Sequence, residues 1–199
     1  MSRAPLAMIV ATSSDGVIGR NGALPWKISA DLKYFRRITT TDAAGNAAAR
    51  AVLMGRLTWE SIQRALPRRR NIIVTQSHLG LEECWWATSL TDAIAKARAD
   101  AIATNGVRVL ADPEPIIIGG ARMYAEAFPL ATRVHLTTVG NPPSGAWVGD
   151  AHWDPRPLLL AAERGEWTVT EEDSAFHEDT LSYEHVQVTW RTFVRVEAP

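Results

Sequence analysis

An acid stands among apolar residues in GALPWKISADLKYF, residues 22–35. Asp31, Phe35 and Ile38 recur at i, i+4 and i+7 with Leu32 beside them, the spacing of one helical face, and Ser29 is placed to cap such a helix. An acid in a first helical turn is favoured by the helix dipole by roughly 0.3–1 kcal/mol, with no function needed. On a face that Phe35 and Ile38 turn inward, the same carboxylate needs hydrogen-bond donors or a proton, because burying it unpaired is costly. The residues leave two readings open, a dipole-stabilising charge or a ligand anchor. Trp26 is equally open between core residue and pocket wall.

Three other places join an apolar run to a helix through glycine or small polar residues: Met54-Gly55-Arg56, Val74-Thr75-Gln76-Ser77 and Ile118-Gly119-Gly120-Ala121. Glycine lets a backbone approach a ligand closely, and helix N-termini offer free amides to phosphate. In a parallel sheet such turns share the carboxyl edge of the strands, where nucleotides bind. Together they favour a phosphorylated cofactor. None has the spacing of the dinucleotide fingerprint or of the P-loop, so neither an ordinary Rossmann dehydrogenase nor an NTPase is indicated.

The elements that must position these groups follow from periodicity. Residues 6–11, 52–54, 71–75 and 115–118 are short apolar runs that read as buried strands, with 17–19, 84–88, 133–139 and 167–170 as further strands. Helices are expected from Ser29, over 58–63, along Leu90, Ile94, Ala97 and Ala101, and over 121–128 before Pro129. Val186, Val188, Trp190, Thr192, Val194 and Val196 alternate with more polar neighbours in a long final strand. Repeated strand-helix-strand order with an antiparallel end implies an α/β fold with a mixed, mostly parallel sheet. No repeat or low-complexity linker divides the chain, so one domain over 1–199 is expected, with residues 1–5 loose.

Composition sets the surroundings. With 46% hydrophobic and 22% charged residues, a chain of 199 residues can bury a sizeable core. A net charge of -1 supplies no field for gripping nucleic acid or an anionic membrane. Five arginines fall between Arg56 and Arg70 and eight acids between Glu163 and Glu184, and both runs read as solvated surface. Cys84 is the only cysteine, and the histidines at 78, 135, 152, 177 and 185 have no metal-ligand spacing, so neither a disulfide nor a metal site is expected. No run has the length of a signal peptide core or a membrane span, which makes a cytoplasmic location the expectation.

Taken in order, VIGRNGALPWKISADLKYFRRIT, VLMGRLTWESIQRALPRRRNIIVT, IIIGGARMYAEAFP, HLTTV and GDAHWDP resemble dihydrofolate reductase in order, spacing and length. The resemblance runs from Met8 onward, is most specific through Tyr124 and loosens after Thr138. It implies a single α/β domain built on an eight-stranded, mostly parallel sheet flanked by helices. It also implies NADPH-dependent reduction of 7,8-dihydrofolate, with antifolates as further ligands and a monomer as the usual form. The related reductase of riboflavin biosynthesis and a catalytically silent nucleotide-binding module are the alternatives. Asp31 after PWKISA, together with Arg69, argues against the first.

By the same resemblance, hydride passes from nicotinamide C4 to pterin C6 while N5 gains a proton. Asp31 would hold the pterin through N3 and the 2-amino group, and Thr137 would support it through a water. Solvent admitted beside Leu24, in a segment with Trp26, would protonate N5. Ile9, Val10, Ala11, Leu32, Phe35, Ser61, Ile62, Leu66, Ile118 and Tyr124 would surround the substrate, with Arg69 pairing its glutamate α-carboxylate through a planar fork. Ala11, Ile18, Gly19 and Leu24 would meet the nicotinamide end of NADPH. Gly55, Arg56, Leu57 and Thr58 would meet its pyrophosphate and ribose, and Thr75, Gln76 and Ser77 its second phosphate turn. Ile118, Gly119, Gly120, Ala121, Arg122, Met123 and Tyr124 would close over it, with a cis bond between the two glycines. The sequence departs from the family in longer connections at 39–51 and 140–148, in Leu57 and Gln76 near the 2′-phosphate, and in Ala121 where a third glycine is frequent.

Overall fold

In chain order, β1 (Ala7–Ser13) and the short β2 (Val17–Gly19) lead into α1 (Ser29–Ile38), then β3 (Ala51–Gly55) and α2 (Arg56–Ile62). β4 (Arg70–Val74), β5 (Trp85–Ala87) and α3 (Leu90–Arg98) follow, and β6 (Ala101–Ile102) pairs with β7 (Arg108–Val109) as a small ribbon. The chain continues through β8 (Ile116–Gly119), α4 (Ala121–Ala127), β9 (Arg133–Val139), β10 (Ala151–His152) and α5 (Arg156–Glu163) to β11 (Trp167–Asp179) and β12 (Glu184–Arg195). This computed structural model describes residues 4–42, 44–77, 84–99, 101–102, 108–109, 111–112 and 114–196. Residues 1–3 of the expected loose N-terminus, and His78, lie outside them.

Eight strands make one sheet in the order β11-β12-β9-β1-β8-β3-β4-β5. Every pairing from β9 through β5 is parallel, and β12 alone runs against its neighbours β9 and β11. The expected mixed, mostly parallel sheet is therefore the observed one. Strand alternation divides the core between the two faces. Met8 and Val10 of β1 join Leu53, Ile117, Leu136 and the buried faces of α3, α4 and α5, whereas Ala7 and Ile9 join Val52, Met54, Ile118 and Ile38 beneath α1 and α2. No helix among the described residues is long and apolar enough to cross a membrane.

Several local expectations need correction. Ser29 is not the cap of α1: Ile28 holds that position, its apolar side chain offers no capping group, and it is buried instead with Trp26 against β12. Ala101 lies in β6 rather than on the α3 stripe, which stops at Arg98. β11 extends to Asp179, far beyond the expected residue 170, since its ladder with β12 satisfies a backbone whose side chains are mostly polar and exposed. α5 was hidden in DPRPLLLAAE because prolines flank its start, where a missing N–H costs nothing.

The two charged runs are also not uniform surface. Arg70 is buried, donating to the Ala99 carbonyl at 2.9 Å with its guanidinium 4.2 Å from the Trp85 ring centre. Asp179 is fully buried at the β11–β12 turn. Its carboxylate accepts the Lys27 N–H at 2.7 Å, the Ser182 N–H at 2.9 Å and the Ser182 hydroxyl at 2.7 Å. This one side chain closes the last hairpin and ties it to the segment that precedes α1.

Burial pushes the Asp179 carboxyl up, but the donors from Lys27, Ser182 and Leu181 outweigh it and hold it below the usual range. A depressed carboxyl stabilises the fold above its unfolded-state value and loses that contribution as pH falls through its folded-state value. Asp179→Ala is accordingly expected to cost roughly 2–4 kcal/mol in urea unfolding at neutral pH. The gap from the unaltered protein should shrink as the medium is acidified below the ordinary carboxylate range.

Candidate functional site

The carboxyl ends of the parallel strands open into one cleft of about 1830 Å³. β1 contributes Ile9 and Ala11, β3 ends at Gly55, β4 runs out into Thr75, and β8 ends at Gly119, all lining it. α1 closes one side with Asp31, Leu32, Phe35 and Arg36. The three turns that the sequence singled out therefore meet at one edge.

Asp31 faces the cleft although only 5% of it is exposed. Its Oδ1 accepts the Thr137 hydroxyl at 2.8 Å and the Trp190 indole N–H at 3.3 Å. The sheet makes this possible. Ala11 stands opposite Thr137 in the β1–β9 ladder and Thr137 opposite Trp190 in the β9–β12 ladder, so the three form one row across the sheet. Burial pushes the Asp31 carboxyl up and the bonds from Thr137 and then Trp190 pull it down, with burial the stronger. The donors come from other strands rather than from the helix's own amides, so the charge is more than a dipole partner. Thr137 touches Asp31 directly.

Further along the cleft, Ser61, Ile62 and Leu66 line the end reached by Arg69. Arg69 donates to the Thr39 hydroxyl at 2.8 Å and to the Pro67 carbonyl at 3.1 Å. Burial, then Arg36 and Arg68, lower its hold on its proton, so this end of the cleft concentrates positive charge.

At the opposite end, Arg56, Leu57 and Thr58 open α2, Thr75, Gln76 and Ser77 follow β4, and Ala121, Arg122, Met123 and Tyr124 open α4. α2 and α4 have no side-chain cap and no acid in the first turn, which leaves their leading amides available to an anion. Gly119 has φ +146°, and a Cβ there would stand 2.9 Å from Thr58 Oγ1, so only glycine lets β8 pass α2 this closely. The Gly119–Gly120 bond is cis, as the resemblance implied. The Tyr124 hydroxyl donates to the Ile9 carbonyl at 2.9 Å, joining α4 to β1.

Ile18, Gly19 and Leu24 line the remaining wall. Asn21-Gly22 makes a two-residue reversal closed by Arg20 and Ala23, and the Asp150 carboxylate accepts the Asn21 N–H at 3.1 Å. Gly149 packs against the Gly19 carbonyl and Val17 with no space for a Cβ.

Two expected site residues stand elsewhere. Val10 points to the opposite face of β1, among Met8, Leu53 and Leu136, because a strand alternates its side chains. Trp26 is 2% exposed and belongs to the cluster of Ile28, Val139, Val186 and Val188, with the Trp147 ring edge at 5.3 Å. Residues the sequence reading did not place in the cleft include Arg36, Glu60, Asp150 and His152. Trp190 was legible only as one apolar position of a strand, since its register against Thr137 is long-range.

A family model described as dihydrofolate reductase matches residues 5–192. The type 3 dihydrofolate reductase of Salmonella typhimurium is 34% identical over 178 residues, covering 89% of this chain and 92% of that protein. The dihydrofolate reductase of Bacillus subtilis is 29% identical over 185 residues, covering 90% and 94%. A solved dihydrofolate reductase from Enterococcus faecalis, complexed with NADP(H) and RAB-propyl, superposes with a TM-score of 0.69 at 22% identity, covering 98% of both chains, and shares the fold. Matched over nearly its whole length by the family model and over most of it by these relatives, the chain belongs to the dihydrofolate reductase family of oxidoreductases.

Proposed function

We propose that the chain reduces 7,8-dihydrofolate to 5,6,7,8-tetrahydrofolate with NADPH, and that Asp31 holds the pterin. The observation that carries this reading is the half-satisfied carboxylate. Oδ1 is anchored by Thr137 and Trp190, while Oδ2 has no donor among the described residues. A ring presenting adjacent N–H groups, as the pterin does at N3 and its 2-amino group, supplies the missing partners and compensates the burial of the charge.

The chain's own residues fit the cofactor. The uncapped N-termini of α2 and α4 suit a pyrophosphate, and Arg56 and Thr75 to Ser77 stand where a further phosphate would need donors. NADPH, when bound, supplies the hydride that reduces C6. Asp31 fixes and polarises the ring, Tyr124 and Ile118 border it, and Leu24, 39% exposed, governs the water that protonates N5. Arg69 offers its remaining N–H groups to the glutamate α-carboxylate, with Arg36 as a second cation nearby.

Dihydrofolate-dependent oxidation of NADPH, followed by absorbance, is the direct test, and a folded protein without it would overturn the reading. Asp31→Asn should lower kcat/KM at neutral pH by roughly a hundredfold or more. Its residual activity should rise as pH falls, because substrate protonated in solution no longer depends on Asp31.

Arg69→Leu should raise the KM for dihydrofolate by about tenfold or more with a smaller change in kcat, since a charge-assisted contact is worth roughly 1.5–3 kcal/mol. Arg56 forms an exposed pair with Glu60 at 3.3 Å, so it can be removed at little cost to the fold. Arg56→Ala is expected to narrow the ratio of kcat/KM for NADPH over NADH, measured with dihydrofolate saturating.

A further inference from the structure

Asp31 has a donor whose chemistry differs from that of Thr137. A threonine hydroxyl can give or accept a hydrogen bond and so tolerates either protonation state of its partner. An indole N–H can only donate. Trp190 Nε1 lies 3.3 Å from the same Oδ1 that Thr137 holds at 2.8 Å. With Trp190 and Thr137 both donating to it, Oδ1 has its lone pairs engaged, so a proton is taken up more readily at Oδ2, which has no donor among the described residues.

The indole has little freedom to turn away. It is 8% exposed, the Tyr34 ring lies tilted at 6.0 Å, and the His177 ring meets it edge-on at 5.4 Å. Its backbone is fixed by the ladder to Thr137 on one side and to Asp173 of β11 on the other.

We propose that Trp190 is a positioning residue of the site: its indole N–H makes Oδ1 of Asp31 a permanent acceptor, so that Oδ2 alone exchanges protons and hydrogen bonds with the substrate ring. This rests on the reading of Asp31 as the pterin-holding group, although the Trp190–Asp31 link is independent of any ligand. The role combines orientation with electrostatics. Fixing one oxygen sets the plane in which the other meets the ring, and a donor aimed at the carboxylate favours its charged form.

The other titratable groups around Asp31 differ in their bearing on this. Tyr34 from α1 and Tyr124 from α4 are pushed up by burial, away from neutral pH. His135 from β9 is pushed down to about 3 by burial and then by Arg133, Arg50 and Arg37, so it stays neutral. Arg37 of α1 and Glu171 of β11 act on Tyr34. His177 of β11 touches the indole itself and needs its own control.

Trp190→Phe keeps an aromatic ring between Tyr34 and His177 while removing the donor and part of the ring volume. In the ligand-free variant, the Asp31 carboxyl carbon followed by NMR should titrate roughly 0.5–1 unit higher than in the unaltered protein. The corresponding limb of the kcat/KM profile should move with it, and the same displacement should persist in a His177→Gln background. An unmoved Asp31 midpoint in a folded Trp190→Phe protein, or a displacement that vanishes with His177, would overturn the proposal.

Should Trp190→Phe not fold, the Trp190 indole N–H resonance of the unaltered protein gives the answer. It should shift with the Asp31 midpoint and be indifferent to that transition in Asp31→Asn; a resonance flat across the Asp31 titration would refute the link. Because these titrations use no substrate, they separate failure of this contact from failure of the reductase assay.

Discussion

The cleft is organised around one carboxylate held out of water. Asp31 sits where burial favours the neutral acid, and each donor aimed at it opposes that tendency. The donors come from β9 and β12, which pair antiparallel. An all-parallel sheet ending at β9 would offer Thr137 and nothing beyond it. The reversed β12 extends the row of Ala11 and Thr137 by Trp190, whose long indole brings a second donor to Asp31.

The other half of the cleft follows from a different constraint, backbone proximity. β3, β4 and β8 end side by side, and two of them pass directly into helices without side-chain caps. Such ends are useful only if nothing of the protein's own fills them. Gly119 admits Thr58 where a side chain would displace it, and neither helix places an acid in its first turn. An anion is thus favoured by geometry and by charge together.

What could be read from the sequence was whatever rested on local pattern. Short apolar runs gave the parallel strands, the i, i+4, i+7 spacing placed Asp31 inward, and Gly-Gly marked a turn from strand to helix where backbone can approach a ligand closely. Register and turn chemistry were beyond reach. Trp190 pairs with Thr137 across more than fifty intervening residues, so its bond to Asp31 left no local sign. Arg70 and Asp179 looked like members of solvated runs because charge counts say nothing of direction: Arg70 follows Arg68, whose φ of +61° marks a sharp reversal, and Asp179 closes a hairpin turn. Val10 was assigned to the cleft with its neighbours, although alternation alone sends every second β1 side chain to the other face.

Trp26 changes meaning most, and with it the division between fixed and movable parts. Leu24 is 39% exposed and Trp26 only 2%, two residues apart. Trp26 is clamped by Val186 and Val188 beneath and by Trp147, whose indole N–H holds the Gly140 carbonyl at 2.9 Å. Lys27 next to it is tied through its N–H to Asp179 and through its carbonyl to Thr180. The long connection at 140–148 and the extended last hairpin thus immobilise the start of α1, and hence the backbone that carries Asp31. On the other side of that boundary the Asn21-Gly22 reversal is held to Asp150 by a single exposed carboxylate. Beside that contact, the Asp150 N–H donates to the Gly19 carbonyl at 3.0 Å. Trp26, Asp31 and Trp190 lie on the buried side of that boundary and Leu24 on the exposed one, so the carboxylate is anchored independently of the segment that borders the cleft.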